Sequence, residues 1–181
     1  SLASLGLDYV DLYLIHWPAP KQDKYIQTWE AILSLREEGI VRSAGVANFH
    51  VHHLDRLEQY GLSRPVLNQV ECHPWLPQKE LHGIHKIRDI VTQAWSPLAR
   101  GRILSDPTIQ NIAEEYCVSA AEVVLSWQLS RGIAVIPKST HRKRLAANAR
   151  ALNLQLDANA CAKIDSLESG ERTGADPNDR D

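Results

Sequence analysis

The chain has 181 residues, 44% of them hydrophobic and 23% charged, which suits a single globular domain with a sizeable core. A formal net charge of −2 gives no general pull toward nucleic acid, and no apolar run is long enough to cross a bilayer. Cys72, Cys117 and Cys161 are too few and too widely spaced for a disulfide framework, and no secretory signal precedes the first apolar run, so a cytoplasmic location is expected.

In chain order, Ser1 to Leu5 reads as the last turn of a helix with Gly6 near its C-cap. Tyr9 to Pro18 follows as a buried strand rich in β-branched and aromatic residues, stopped by a proline that cannot donate to a ladder. Ile26, Trp29, Ile32, Leu33 and Leu35 form the apolar stripe of a helix over 27–38. Strands are predicted at 41–47, 66–72, 90–94 and 133–137. Helices are predicted from His50 or its neighbour to Tyr60, and over 78–88, 108–116 and 119–131, the last with a Ser119/Glu122 capping box. Leu98 to Asp106 reads as a loop. Ser139 or Thr140 should cap a basic helix to about Ala151, and Asp157 a last helix to Leu167. Residues 1–168 form the expected domain, and the polar tail 169–181 is expected to be extended and mobile.

Buried strands alternating with helices imply a parallel sheet covered by helices, an α/β class. The strand ends fall mostly 24 to 32 residues apart, close to the spacing of about 31 in an eight-unit (β/α)8 TIM barrel. Five units are present. The chain contains no methionine and opens within a helix, so the remaining three units are expected before Ser1, making this the C-terminal two thirds of a barrel with strands 4–8.

Polar or aromatic residues cluster near the strand ends, where α/β proteins keep their chemistry. His16 is either a satisfied histidine, or a hydrogen-bond donor to a substrate oxygen or a general acid near neutral pH. Asn48 and Gln69 either satisfy loop backbone or offer paired donors and acceptors to a carboxamide. Trp95 is either core or a stacking platform for a flat ring. The run Pro137-Lys138-Ser139-Thr140-His141-Arg142-Lys143-Arg144 delivers cations to a helix N-terminus. It is either a solvated basic face or a seat for a phosphomonoester, because cations in a first turn oppose the helix dipole unless an anion is there. His50, His52 and His53, and the pair His82 and His85, lack a recognised metal-ligand pattern, so no metal is expected. Cys72 beside His73 is a poor nucleophile candidate, since adjacent strand residues face opposite ways. No Gly-x-Gly-x-x-Gly or P-loop is present. No pair of strand-end carboxylates supports a hydrolase.

The ordered set Leu5 to Pro18, Gly45-Val46-Ala47-Asn48-Phe49, Asn68 to Pro74, Ala94-Trp95-Ser96-Pro97-Leu98 and Ile136-Pro137-Lys138-Ser139 closely resembles the aldo-keto reductases, with Trp95 pointing to the bacterial branch that includes 2,5-diketo-D-gluconate reductases. The resemblance implies a TIM barrel binding NADPH, and reduction of a small aldehyde or ketone to an alcohol without a metal. It implies that His16 orients the substrate carbonyl and Trp17 lines the substrate pocket. Trp95 would stack on the nicotinamide, and Asn48 and Gln69 would hold its carboxamide. Ser96 and Leu98 would join the cofactor contacts. Lys138, Ser139 and Arg144 would grip the 2′-phosphate, and Asn148 would face the adenine. Ala47 stands where the family commonly has Ser. Of the family's Asp, Tyr, Lys and His tetrad only His16 is matched, so the 181 residues are expected to be inactive alone. No membrane partner is expected, and the complete protein is expected to be a monomer. The alternative is a non-catalytic NADP-binding or interaction protein that reuses the fold.

Overall fold

The computed structural model describes residues 2–180. Its elements alternate as expected: α1 (Leu2–Leu5), β1 (Val10–Ile15), α2 (Tyr25–Glu37), β2 (Val41–Ala47), α3 (Val51–Gln59), β3 (Leu67–Glu71), α4 (Lys79–Ile87), β4 (Val91–Trp95), α5 (Pro107–Glu115), α6 (Ala120–Ser130), β5 (Ala134–Val135), α7 (Arg142–Arg150) and α8 (Ala158–Asp165). The strands are ordered β1-β2-β3-β4-β5, and the pairs β1·β2, β2·β3 and β4·β5 are parallel. This is an α/β fold with a parallel sheet. The chain divides into two compact units, and β3 and β4 each run through both.

The first unit comprises residues 2–70, 80–92 and 175–180. Its strands are in register at Leu14↔Gly45, Ile15↔Val46 and Ala47↔Gln69. A Cβ on Gly45 would meet Leu14 Cδ2 at 2.6 Å and the Leu67 carbonyl at 2.9 Å, so the strand spacing here depends on glycine. The core is built on Trp29, Phe49, Leu54, Leu57 and Val46. Trp29 is fully buried and its indole N–H donates to the Ser63 carbonyl at 2.9 Å, which removes the one polar penalty of burying that ring. Asn68, His85 and Thr92 form a buried polar chain. Asn68 Nδ2 lies 3.1 Å from His85 Nε2, and His85 Nδ1 lies 2.8 Å from Thr92 Oγ1.

The second unit comprises residues 71–79 and 93–174. Trp127, Ile109, Ile112, Val123 and Ile164 form its core, contributed by α5, α6 and α8. Trp127 Nε1 donates to Asp165 at 3.0 Å, and Arg131 donates to the same carboxylate oxygen at 2.7 Å. Two helix starts follow their sequence signals: Ser119 and Glu122 close a reciprocal box, and Asp157 accepts from the Ala160 N–H. A further cap, Asp106, closes the loop before α5 and accepts from the Thr108 N–H.

Five expectations change. β1 is not a buried strand: only Ile15 is buried, and Leu12 and Tyr13 are exposed, because among the described residues β1 pairs with β2 alone. β5 is cut to two residues, since Pro137 has no N–H for the ladder. Residues 99–105 coil into 3-10 turns joined across Arg100 and Gly101, both at positive φ. Neither Ser139 nor Thr140 is the residue that starts α7. His141 is, and the Ser139 hydroxyl instead accepts the His141 N–H at 3.1 Å. The stretch after 168 is not a loose tail in the second unit. Ser169 and Gly170 both donate to the Trp75 carbonyl, Glu168 pairs with Lys79, and Glu171 pairs with Arg102.

Candidate functional site

In the first unit, β1 delivers His16 to its carboxyl end, exposed, with its ring 5.9 Å from that of half-buried Trp17. The loop after β2 holds Asn48 in the left-handed region at φ 64, a conformation asparagine tolerates better than most residues. Asn48 Nδ2 donates to the His16 carbonyl at 2.9 Å, and the Asn48 N–H donates to the Gln69 carbonyl at 2.8 Å. One buried residue, through its side-chain amide and its backbone N–H, therefore ties together the ends of β1, β2 and β3. The next residue is also clamped: the Phe49 N–H donates to Asn68 Oδ1, and Asn68 Nδ2 donates back to the Phe49 carbonyl. Of the residues expected to act, the first unit brings together His16, Asn48 and Gln69, with Trp17 alongside. The Arg180 guanidinium lies 5.7 Å from the centroid of the Trp17 ring.

His50, His52 and His53 do cluster, with the rings of His52 and His53 4.0 Å apart. His53 accepts the His50 N–H, and burial, followed by the electrostatic influence of the neighbouring His52, His50 and Arg56, pushes its pKa down to about 3. Among the described residues no trio of His, Cys, Asp or Glu is arranged to hold a metal ion.

The second unit contains a cavity of about 1000 Å³. Six residues named by the sequence line it: Ser96, Leu98, Lys138, Ser139, Arg144 and Asn148. Its lining also carries Arg100, His141 and Lys143, and no carboxylate. β5 delivers Lys138, and the first turn of α7 delivers Lys143 and Arg144 beside its free N–H groups. α7 has no buried residue and no acidic residue in its first turn. Cations there lie unfavourably against the positive dipole end, and an anion in the cavity relieves both at once. Arg100 escaped the sequence reading as a site residue. It reaches the cavity because the backbone reverses at Arg100 (φ 56) and Gly101 (φ 90). The neighbouring Gly101 was the sole signal in the sequence.

Trp95 ends β4 in this same unit, half-buried, and does not line that cavity. Glu71, at the end of β3, is buried. Burial pushes its carboxyl pKa up, but hydrogen bonds from His73 and from the hydroxyl and N–H of Thr173 outweigh it and hold it at about 2. Cys72, next in sequence, is fully buried and its thiol is pushed up to about 12, which removes it as a nucleophile.

The family model described as the aldo/keto reductase family matches residues 1–169. An aldo-keto reductase of Mycolicibacterium smegmatis is 45% identical over 178 residues, which cover 98% of this chain and 64% of that protein. Methylglyoxal reductase DkgA of Escherichia coli K12 is 41% identical over 180 residues, covering 98% of this chain and 65% of that protein. Among solved structures, a mutant of Gox0644 in complex with NADPH superposes with a TM-score of 0.94 at 42% identity, covering 99% of this chain and 67% of that one. An aldo-keto reductase of Bombyx mori in complex with NADP gives 0.87 at 33% identity, covering 99% and 64%. The chain thus spans 64–65% of the length of the curated relatives it matches.

Proposed function

Because the chain belongs to the aldo/keto reductase family, we propose that it serves NADPH-dependent reduction of small aldehydes or ketones, with the cationic cavity of the second unit holding the 2′-phosphate end of the cofactor. The observation that carries this reading is the lining itself: Arg100, Lys138, Lys143 and Arg144 without a carboxylate, at the start of α7. A phosphomonoester is the anion that distinguishes NADPH from NADH. The NADPH and NADP complexes of Gox0644 and of the Bombyx mori enzyme support it, and the methylglyoxal reductases among the relatives suggest a small dicarbonyl as a substrate to try. In this reading the parallel strands belong to the family's (β/α)8 barrel, and the enzyme is a cytoplasmic monomer.

Lys138, Ser139 and Arg144 bind the 2′-phosphate, and Asn148 faces the adenine. Trp95 stacks on the nicotinamide, with Ser96 and Leu98 bordering the cofactor, while Asn48 and Gln69 hold its carboxamide. When bound, the cofactor supplies a hydride. His16 donates a hydrogen bond to the substrate carbonyl oxygen and stabilises the charge that develops there, and Trp17 shapes the substrate side. Asn48 fixes where His16 sits through the His16 carbonyl, so cofactor and substrate positioning share one residue. The proton acid is a tyrosine tuned by Lys and Asp in the family, and His16 is the one tetrad member matched in these residues. The 181-residue chain is therefore a cofactor binder that does not turn over a carbonyl by itself.

Isothermal titration of the chain with NADPH, NADH and 2′,5′-ADP tests this. We expect NADPH and 2′,5′-ADP to bind, NADH to bind at least about tenfold more weakly, the worth of one charge-assisted pair, and Lys138→Ala with Arg144→Ala to erase the difference. Equal affinity for NADPH and NADH in the unmodified protein refutes the phosphate assignment. Reduction of methylglyoxal by the chain refutes its inactivity.

A further inference from the structure

We infer that Glu71, through Thr173 and Gly174, positions the indole of Trp95, and that these three are positioning residues for the nicotinamide end of the cofactor. The inference rests on the reading of Trp95 as the stacking platform.

Glu71 and Trp95 are neighbours across the β3·β4 pair, where the Cys72 N–H donates to the Trp95 carbonyl at 3.4 Å. The Glu71 carboxylate is buried at 1% exposure and gathers donors from far along the chain. Thr173 donates its N–H at 2.6 Å and its hydroxyl at 2.5 Å to Oε1, and the Gly174 N–H lies 3.2 Å from each oxygen. His73 Nε2 lies 3.1 Å from the same Oε1. A buried carboxylate is tolerated only when its lone pairs are filled, so the strap at 173–174 is as much required by Glu71 as held by it.

The strap lies hard against the indole. A Cβ built on Gly174 would stand 2.4 Å from Trp95 Cη2, 3.2 Å from Cζ3 and 3.3 Å from Glu71 Oε2. Nothing larger than hydrogen fits between backbone and ring, and the Glu71 carboxylate is the next neighbour. The strap is tied on its N-terminal side, where Ser169 and Gly170 donate to the Trp75 carbonyl and Glu171 pairs with Arg102. A side chain at 174 forces a shift, and the outer edge of the indole, the nearest group and the far end of a side chain, gives more readily than backbone held by Glu71. Stacking depends on ring offset and tilt, so a shift of the platform weakens the flat partner without touching the phosphate cavity.

The test compares Gly174→Ala, Thr173→Val and Thr173→Ser with the unmodified protein, reading affinity for NADPH and 2′,5′-ADP and the near-ultraviolet circular dichroism band of Trp95, assigned with Trp95→Phe. We expect Gly174→Ala to change that band and to weaken NADPH about tenfold, the worth of one aromatic stacking contact, with 2′,5′-ADP changed less than about twofold. Thr173→Val should fall between, and Thr173→Ser, which keeps the hydroxyl, should match the unmodified protein. An unchanged Trp95 band in Gly174→Ala overturns the inference whether or not cofactor binds. So does an unchanged NADPH affinity, or a parallel loss of both ligands. Failure of the unmodified protein to bind 2′,5′-ADP overturns instead the cofactor reading on which it rests.

Discussion

The side-chain amide of Asn48 donates to the main-chain carbonyl of His16 across 2.9 Å, while its own backbone sits at φ 64. The bond and the strained backbone are separable. Asn48→Ala loses the bond and keeps a Cβ in the left-handed region, whereas Asn48→Gly loses the bond and also removes that Cβ. We expect Asn48→Ala to be less stable than Asn48→Gly by about 1 kcal/mol in urea unfolding. Equal stabilities would show that the backbone is not strained there.

Glu71 gives stability that is sensitive to acid. Its carboxyl is held at about 2 in the fold against an ordinary 4.5. A depressed carboxylate contributes fully above its unfolded pKa and loses that contribution as pH falls through the folded one. Stability should therefore drop from pH 4.5 toward about 2, and Glu71→Gln should flatten that slope. Identical pH profiles for the two proteins would remove Glu71 from the account of acid unfolding.

His85 acts in a higher window. Burial first, then the neighbouring His82 and Arg88, push its pKa down to about 4 from 6.5. The unfolded chain takes up the proton that the folded one refuses, so stability falls as pH drops from 6.5 to about 4. His53 works in the same direction. His85→Leu should flatten this part of the curve and cost about 1–3 kcal/mol at pH 7, because Asn68 and Thr92 each lose a buried partner. A neutral substitution would mean that the chain Asn68–His85–Thr92 contributes nothing.

The thiols should separate cleanly. Cys117 is exposed, Cys161 is half-buried with its thiol raised by burial, and Cys72 is buried with its thiol at about 12. With an aromatic disulfide reagent at pH 8, Cys117 should react first, Cys161 slowly, and Cys72 only after unfolding. Native-state labelling of Cys72 at the rate of Cys117, read by peptide mass, would contradict its burial.

The order of elements was legible along the chain because it depends on local physics. The stripe through Trp29, the Ser119/Glu122 box, the Asp157 cap and the turn at Gly6 each lie within a few residues, and each stands where its pattern placed it. So does the cationic run that reaches the cavity at the start of α7. What the chain order could not reveal was decided by partners far away. Whether β1 is covered depends on which strands pair with it, and Arg100 enters the cavity because the backbone turns over at Gly101. The polar stretch after 168 looks mobile by composition, yet Thr173 is anchored by a carboxylate 102 residues earlier. Periodicity and capping are written in neighbouring residues. A buried charge recruits its donors from wherever the fold brings them, and only the tertiary structure decides that.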